Sequence, residues 1–211
     1  MTKARARKAH SDSSTIYELK VILSGSRPSI WRRIQVVDCT LDELHQSIQT
    51  AMGWTNSHLH EFEIGKARYT DPALADDPFD AGTCKDSRVT MLSDVLGQRD
   101  QGLLYFFGKR HRQFRFLYTY DFGDGWNHEI RVERVLEREA AISYPRCIAG
   151  ARACPPEDVG GVGGYAHLLR VLANPRHAEY EELHEWAGDI DPDHFSPEEK
   201  SEDMQTGLPD W

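Results

Sequence analysis

Eleven residues, Tyr118 to His128, carry two carboxylates (Asp121, Asp124), one imidazole (His128) and four aromatic rings (Tyr118, Tyr120, Phe122, Trp126). A carboxylate and an imidazole within reach of each other can shuttle a proton or hold a divalent cation. A second candidate pair is His58 and His60. At i, i+2 on a strand they project from one face with Cα atoms about 6–7 Å apart, a spacing that lets two imidazoles share one metal. A complete cation site needs further donors. Asp121, His128, Glu157 and Asp158 are available, and the expected metal cluster is His58, His60, Asp121 and His128. A plainer reading stands beside each group: turn aspartates cap free backbone N–H groups, and paired histidines hydrogen-bond within a polar interior.

These side chains need a hairpin to hold them. A four-residue loop, Phe122 to Gly125, places Asp121 opposite Trp126 and Thr119 opposite His128, so that Asp121 and His128 share a face. The strand before it alternates Phe114, Phe116, Tyr118, Tyr120; the strand after it alternates His128, Ile130, Val132. Such alternation marks one buried and one wet face. Upstream, Ile16–Leu23 and Ile30–Val37 read as a first hairpin, with Leu103–Phe107 as a further strand-like run. Trp54 to Ile64 reads as one strand with His58 and His60 on its apolar side, and Lys66 to Tyr69 pairs back on it. Between them, Thr40 and Glu43 form a capping box ahead of the apolar stripe Leu41, Leu44, Ile48, Met52, which Gly53 ends. Asp71 to Asp86 reads as a loop, and Tyr144 to Ile148 as a last edge strand. The glycine-rich run Ala149 to Gly164 reads as irregular, followed by helices over Tyr165–Ala173, over Ala178–Ala187 with Tyr180, Leu183 and Trp186 inward, and after Ser196-Pro197. The fold class is α+β: an antiparallel sheet of hairpins with one early helix and two or three C-terminal helices packed on it. The organisation is a disordered basic arm at 1–14, one domain at 15–200, and an acidic flexible tail at 201–211.

Charge and composition narrow the classes. Residues 179–211 hold 12 Asp/Glu and one Lys, whereas residues 1–178 carry a net charge of only +2. Two basic clusters (Lys3, Arg5, Arg7, Lys8 and Lys109, Arg110, Arg112, Arg115) can touch phosphates, but the chain as a whole has no basic footprint. No apolar run reaches the roughly 20 residues of a membrane span. Four scattered cysteines fit a reduced, cytoplasmic setting. Cys147 and Cys154 lack the Cys-x-x-Cys spacing of a zinc ribbon, and neither a phosphate-loop motif nor a nucleophile elbow occurs.

With these segments in view, the chain resembles the plasmid pRiA4b ORF-3-like family. The match is carried by Ile16 to Trp31 with its Arg-Pro-x-Ile-Trp-Arg, by Ala51-Met-Gly-Trp54 with His58-Leu-His60-x-Phe62, by Tyr118 to His128, by Cys147 to Tyr165, and by Asp189-x-Asp-Pro-x-x-Phe195. Leu103 to Arg112 reads as extra material. The resemblance implies a compact α+β domain found on plasmids and beside transposable elements, and hence a DNA or protein partner within a mobile-element system. Three functions stay open. The first is a non-catalytic binding or accessory module whose cleft is lined by the hairpin, the His58/His60 strand and the Gly-rich loop. Its ligand contacts would be Trp54, Tyr120, Asp121, Phe122, Asp124, Trp126, Glu157 and Asp158. The second is a metal-dependent, nuclease-like hydrolase using the His/Asp cluster, with Glu157 or Asp158 as base. The third is a DNA-binding accessory factor.

Overall fold

The computed structural model describes residues 14–72, 84–97 and 114–208. Their order is β1 (Thr15–Leu23), β2 (Trp31–Val37), α1 (Leu41–Met52), β3 (His60–Ile64), β4 (Ala67–Thr70), β5 (Cys84–Asp86), α2 (Leu92–Gly97), β6 (Arg115–Tyr120), β7 (Trp126–Glu137), β8 (Arg146–Ala151), α3 (Gly161–Leu172), α4 (Tyr180–Ala187) and α5 (Pro197–Thr206). The strands form one sheet ordered β5-β4-β3-β6-β7-β1-β2-β8, so the fold is α+β. Every pairing is antiparallel except β4 with β5, a parallel edge that falls where a loop was expected. The basic arm up to residue 13, the rest of that loop (73–83), and the Leu103–Phe107 strand lie outside the described residues, as do Lys109, Arg110 and Arg112.

One sheet face is apolar because period-two alternation puts Tyr17, Leu19, Val21 and Leu23 of β1 beside Phe116, Tyr118 and Tyr120 of β6 and Trp126, Ile130 and Val132 of β7. Helix α1 closes this face with Leu41, Leu44, Ile48, Ala51 and Met52, all buried. Its N-terminus is the expected capping box: Thr40 Oγ1 accepts the Glu43 N–H, and the Glu43 carboxylate accepts the Thr40 N–H. Gly53 ends the helix at φ 105°. Replacing Thr40 by Ala should cost about 1 kcal/mol, read as a lower urea midpoint with an unchanged slope. The opposite face carries paired charges such as Arg33 with Glu133 and Arg131 with Glu129.

Three expectations about the C-terminal part change. The irregular run after Ala149 is shorter than expected, because β8 continues to Ala151 and α3 begins at Gly161. Helix α4 buries none of its residues, and Trp186 is 49% exposed. Leu183 and Ala187, spaced i, i+4, make its contact with the core instead. The acidic segment from residue 201 is no tail up to Thr206; it completes α5, where Met204 is buried and the Ser201 hydroxyl both accepts from the Cys147 N–H and donates to its carbonyl.

Candidate functional site: a His–Asp–Asp cluster at the central turn

The hairpin β6–β7 pairs Tyr118 with His128, Thr119 with Asn127 and Tyr120 with Trp126. This register is one residue away from the expected one. The reason is burial. A loop starting at Phe122 would turn Thr119 and Asp121 to the core and both tyrosines to solvent, whereas the observed pairing turns Tyr118, Tyr120, Trp126 and His128 inward together. The turn is therefore five residues long, with Asp121 at φ 53° and Gly125 at φ 65°. Asp121 Oδ1 accepts the Gly123 N–H at 2.9 Å, as an Asx turn does, and its N–H donates to the Leu59 carbonyl at 2.8 Å. Asp121 and His128 accordingly do not share a face.

The two histidines of the upstream segment also part. Residues 54–59 form no strand, and Asn56 has φ 62°. Side chains from far along the chain take their hydrogen bonds instead. The Trp54 indole donates to the Pro155 carbonyl at 3.0 Å, and the Thr55 N–H donates to Glu157 Oε2 at 3.0 Å. The Ser57 and His58 N–H groups donate to the Tyr120 hydroxyl at 3.0 and 3.3 Å. His60 begins β3 and points inward, stacked on His45 with ring centroids 3.5 Å apart and planes 8° from parallel. His45 Nε2 donates to Asn56 Oδ1, and its Nδ1 accepts from the Tyr118 hydroxyl, each at 2.7 Å. Burial pushes His60 down to about 4 and His128 down to about 4, and burial with the neighbouring His60 holds His45 well below the ordinary imidazole range. These three rings are neutral core groups. His45 was not among the expected residues, although its spacing from Leu41 and Ile48 places it on the buried stripe of α1.

His58 turns the other way. Its Nε2 is shielded from solvent and aligned with no hydrogen-bond partner. It lies 3.3 Å from Asp158 Oδ1 and 3.8 Å from Asp121 Oδ2. One atom from each of His58, Asp121 and Asp158 falls within 4.8 Å of the others. Ligands on a cation with bonds of about 2.1 Å stand roughly 3–3.5 Å apart, so small side-chain rotations would close this set on one ion. Asp158 is 73% exposed at its side chain, which leaves the far side of the cluster open to water. Among the described residues no Lys or Arg pairs with Asp121, Asp124, Glu157 or Asp158. Of the expected metal set, the structure thus brings together His58 and Asp121, adds Asp158, and leaves His60 and His128 in the core.

A family model matches residues 15–199 of this sequence. The chain belongs to the plasmid pRiA4b ORF-3-like family. It is 37% identical over 181 residues to the uncharacterized protein y4hQ of Sinorhizobium fredii, covering 85% of this chain and 84% of that one. A crystal structure of MM3350, a protein of unknown function from Methanosarcina mazei Go1, superposes with a TM-score of 0.72 at 36% identity, covering 88% of this chain and 97% of that one. The resemblance noted from the motifs is borne out, and the solved relative matches the α+β fold.

The other expected contacts of this pRiA4b ORF-3-like chain divide between core and rim. Trp54, Tyr120 and Trp126 are 3%, 0% and 0% exposed and pack on one another, with Trp54 centroids 5.2 Å from Tyr120 and 5.5 Å from Trp126. They face each other rather than an opening. Phe122, 55% exposed, is the aromatic left at the rim, with Leu59 beside Asp121 at 42%. Asp124 reaches α3: its Oδ2 accepts the Gly160 N–H at 3.1 Å. Glu157 is committed to Thr55 and to the Tyr120 hydroxyl, and burial with that carboxylate keeps the phenol protonated and donating. A small apolar hollow lies away from this cluster, between α1, β2 and α5, lined by Val36, Cys39 and Met204. Among the described residues no helix is long and apolar enough to cross a membrane.

Proposed function

We propose that this protein is a non-catalytic binding module whose recognition site is built on one divalent cation held by His58, Asp121 and Asp158. The observation that carries it is the convergence of three ligand atoms within 4.8 Å at a solvent-facing turn, with a shielded Nε2 that has no hydrogen bond. The backbone supports the same reading. Of the four non-glycine residues with left-handed φ among the described residues, three ring this site: Asn56, Asp121 and Asp158. Each is an Asn or Asp, the non-glycine types that tolerate this conformation, so the three segments carrying the site are held in defined turns. One imidazole and two carboxylates suit Mn²⁺ or Zn²⁺ better than Ca²⁺. Three protein ligands leave positions for oxygens of a partner, a carboxylate or a phosphate. The family's plasmid association suggests a mobile-element component as that partner.

Binding is favoured over hydrolysis because the groups available as a base are already used. Glu157 accepts three hydrogen bonds, and Asp158 is itself a ligand. Of the two basic clusters only Arg115 lies among the described residues, and it is paired with Glu129. The test is calorimetric titration of chelator-free protein with Mn²⁺ and Zn²⁺. One ion should bind per chain, and ion at about 100 times Kd should add roughly 2.7 kcal/mol of stability. His58→Ala should abolish both effects. Wild-type protein that neither binds nor is stabilised by either ion would overturn the reading.

A further inference from the structure

We infer that Tyr120 and Glu157 are positioning residues for this cation site: together they hold the 55–58 segment so that His58 presents Nε2 to Asp121 and Asp158. The inference rests on the cation reading above. Its own observation is a bracket of hydrogen bonds through one phenol oxygen. The Tyr120 hydroxyl donates to Glu157 Oε1 and accepts the N–H groups of Ser57 and His58, at 3.0 and 3.3 Å. Glu157 Oε2 accepts the Thr55 N–H at 3.0 Å and the Thr55 hydroxyl. The Thr55 and Ser57 hydroxyls pair at 2.8 Å. Without these bonds residues 55–58 have no regular structure to fix them.

The connections reach all three ligands. Tyr120 is the last residue of β6, covalently next to Asp121. Glu157 is covalently next to Asp158. The His58 ring stands edge-on to the Tyr120 ring at 5.9 Å. One tyrosine on a central strand therefore locates His58 by hydrogen bonds, Asp121 by the chain, and Asp158 through Glu157. Partners that orient a metal's ligands without touching the ion govern its affinity, because a ligand held in place loses little freedom on binding. Glu157 contributes no atom to the converging His58–Asp121–Asp158 set, which separates this role from coordination.

The experiment is Mn²⁺ and Zn²⁺ titration of the full chain bearing Tyr120→Phe or Glu157→Gln, beside wild type and His58→Ala. Tyr120→Phe keeps the buried ring and removes no charge, so it isolates the bracket from electrostatics. Glu157→Gln keeps size and supplies a second variant should the first fold poorly. Each titration is run well below the variant's own unfolding temperature, measured without cation. Both variants should weaken the ion by about 10- to 100-fold. If wild type binds, His58→Ala does not, and both bracket variants bind like wild type, the positioning role is overturned while the cation reading stands. A lower unfolding temperature with unchanged Kd overturns it in the same way, as a structural role only. If wild type binds neither ion, the reading beneath fails and this inference falls with it.

Discussion

Acidification from pH 7 to pH 4.5 should strip this domain of several kcal/mol of stability, a loss that begins well above the range in which its carboxylates titrate. The cause is the inward-facing imidazole layer. His60 and His128 titrate near 4 in the fold, and His45 lies well below its ordinary value. The unfolded chain titrates all three near 6.5. Below pH 6.5 the unfolded state therefore binds protons that the folded state refuses, and stability falls with pH. The loss begins near 6.5 and, for His60 and His128, levels off near 4. Each of these two groups withdraws about 3 kcal/mol across that window, at 1.36 kcal/mol per unit. Together they remove roughly 6–7 kcal/mol, against about 5–15 kcal/mol for a whole domain. His45 adds to the loss, since its protonated ring would face His60 at 3.5 Å. Urea midpoints at pH 7.5, 6.5, 5.5 and 4.5 measure this. His128→Gln should flatten the dependence, and equal midpoints at pH 7 and 5 would contradict it.

Two alanine substitutions two residues apart in α3 should move stability in opposite directions. Gly161 has φ 67°, and a Cβ there would overlap the carbonyl oxygen of Asp124. Gly161→Ala must either strain the helix start or push the β6–β7 turn away from it. A loss of about 2–4 kcal/mol is expected, with weaker cation binding because Asp121 belongs to the same turn. Gly163 has no atom within 4 Å of its Cβ position and an ordinary helical φ. Gly163→Ala should gain about 0.5–1 kcal/mol through helix propensity and leave the cation site unchanged. Thermal unfolding of both variants checks the pair. A destabilised Gly163→Ala would mean that this helix face meets something beyond the residues described.

Much of the fold was legible because its signals are local. Alternation in Ile16–Leu23 and Ile130–Val132 forecasts β1 and β7, and Thr40 with Glu43 marks the start of α1 within a residue. The parallel edge strand Cys84–Asp86 was not legible, since three residues hold no pattern. The site was half legible. Asp121, Asp158 and His58 were all candidates, but they were grouped with His60 and His128, which lie in the core. Which side of the hairpin Asp121 takes depends on its left-handed backbone, and that follows from four rings competing for the core. Where His58 points depends on Glu157 and Tyr120, roughly 100 and 62 positions away. Pairings of that range leave no periodic trace.

The strand order has a kinetic consequence. β6 and β7 are the fourth and fifth of eight strands, so neither ever forms an outer boundary of the sheet. Amides there exchange with solvent through the rarest and most global openings of a domain. The paired amides of β6 and β7 should therefore be among the last to take up deuterium, together with the Asp121 N–H that is held by the Leu59 carbonyl. Asp121 is thereby anchored to the two central strands, and Tyr120, the last residue of β6, carries that anchorage to the segment before His58.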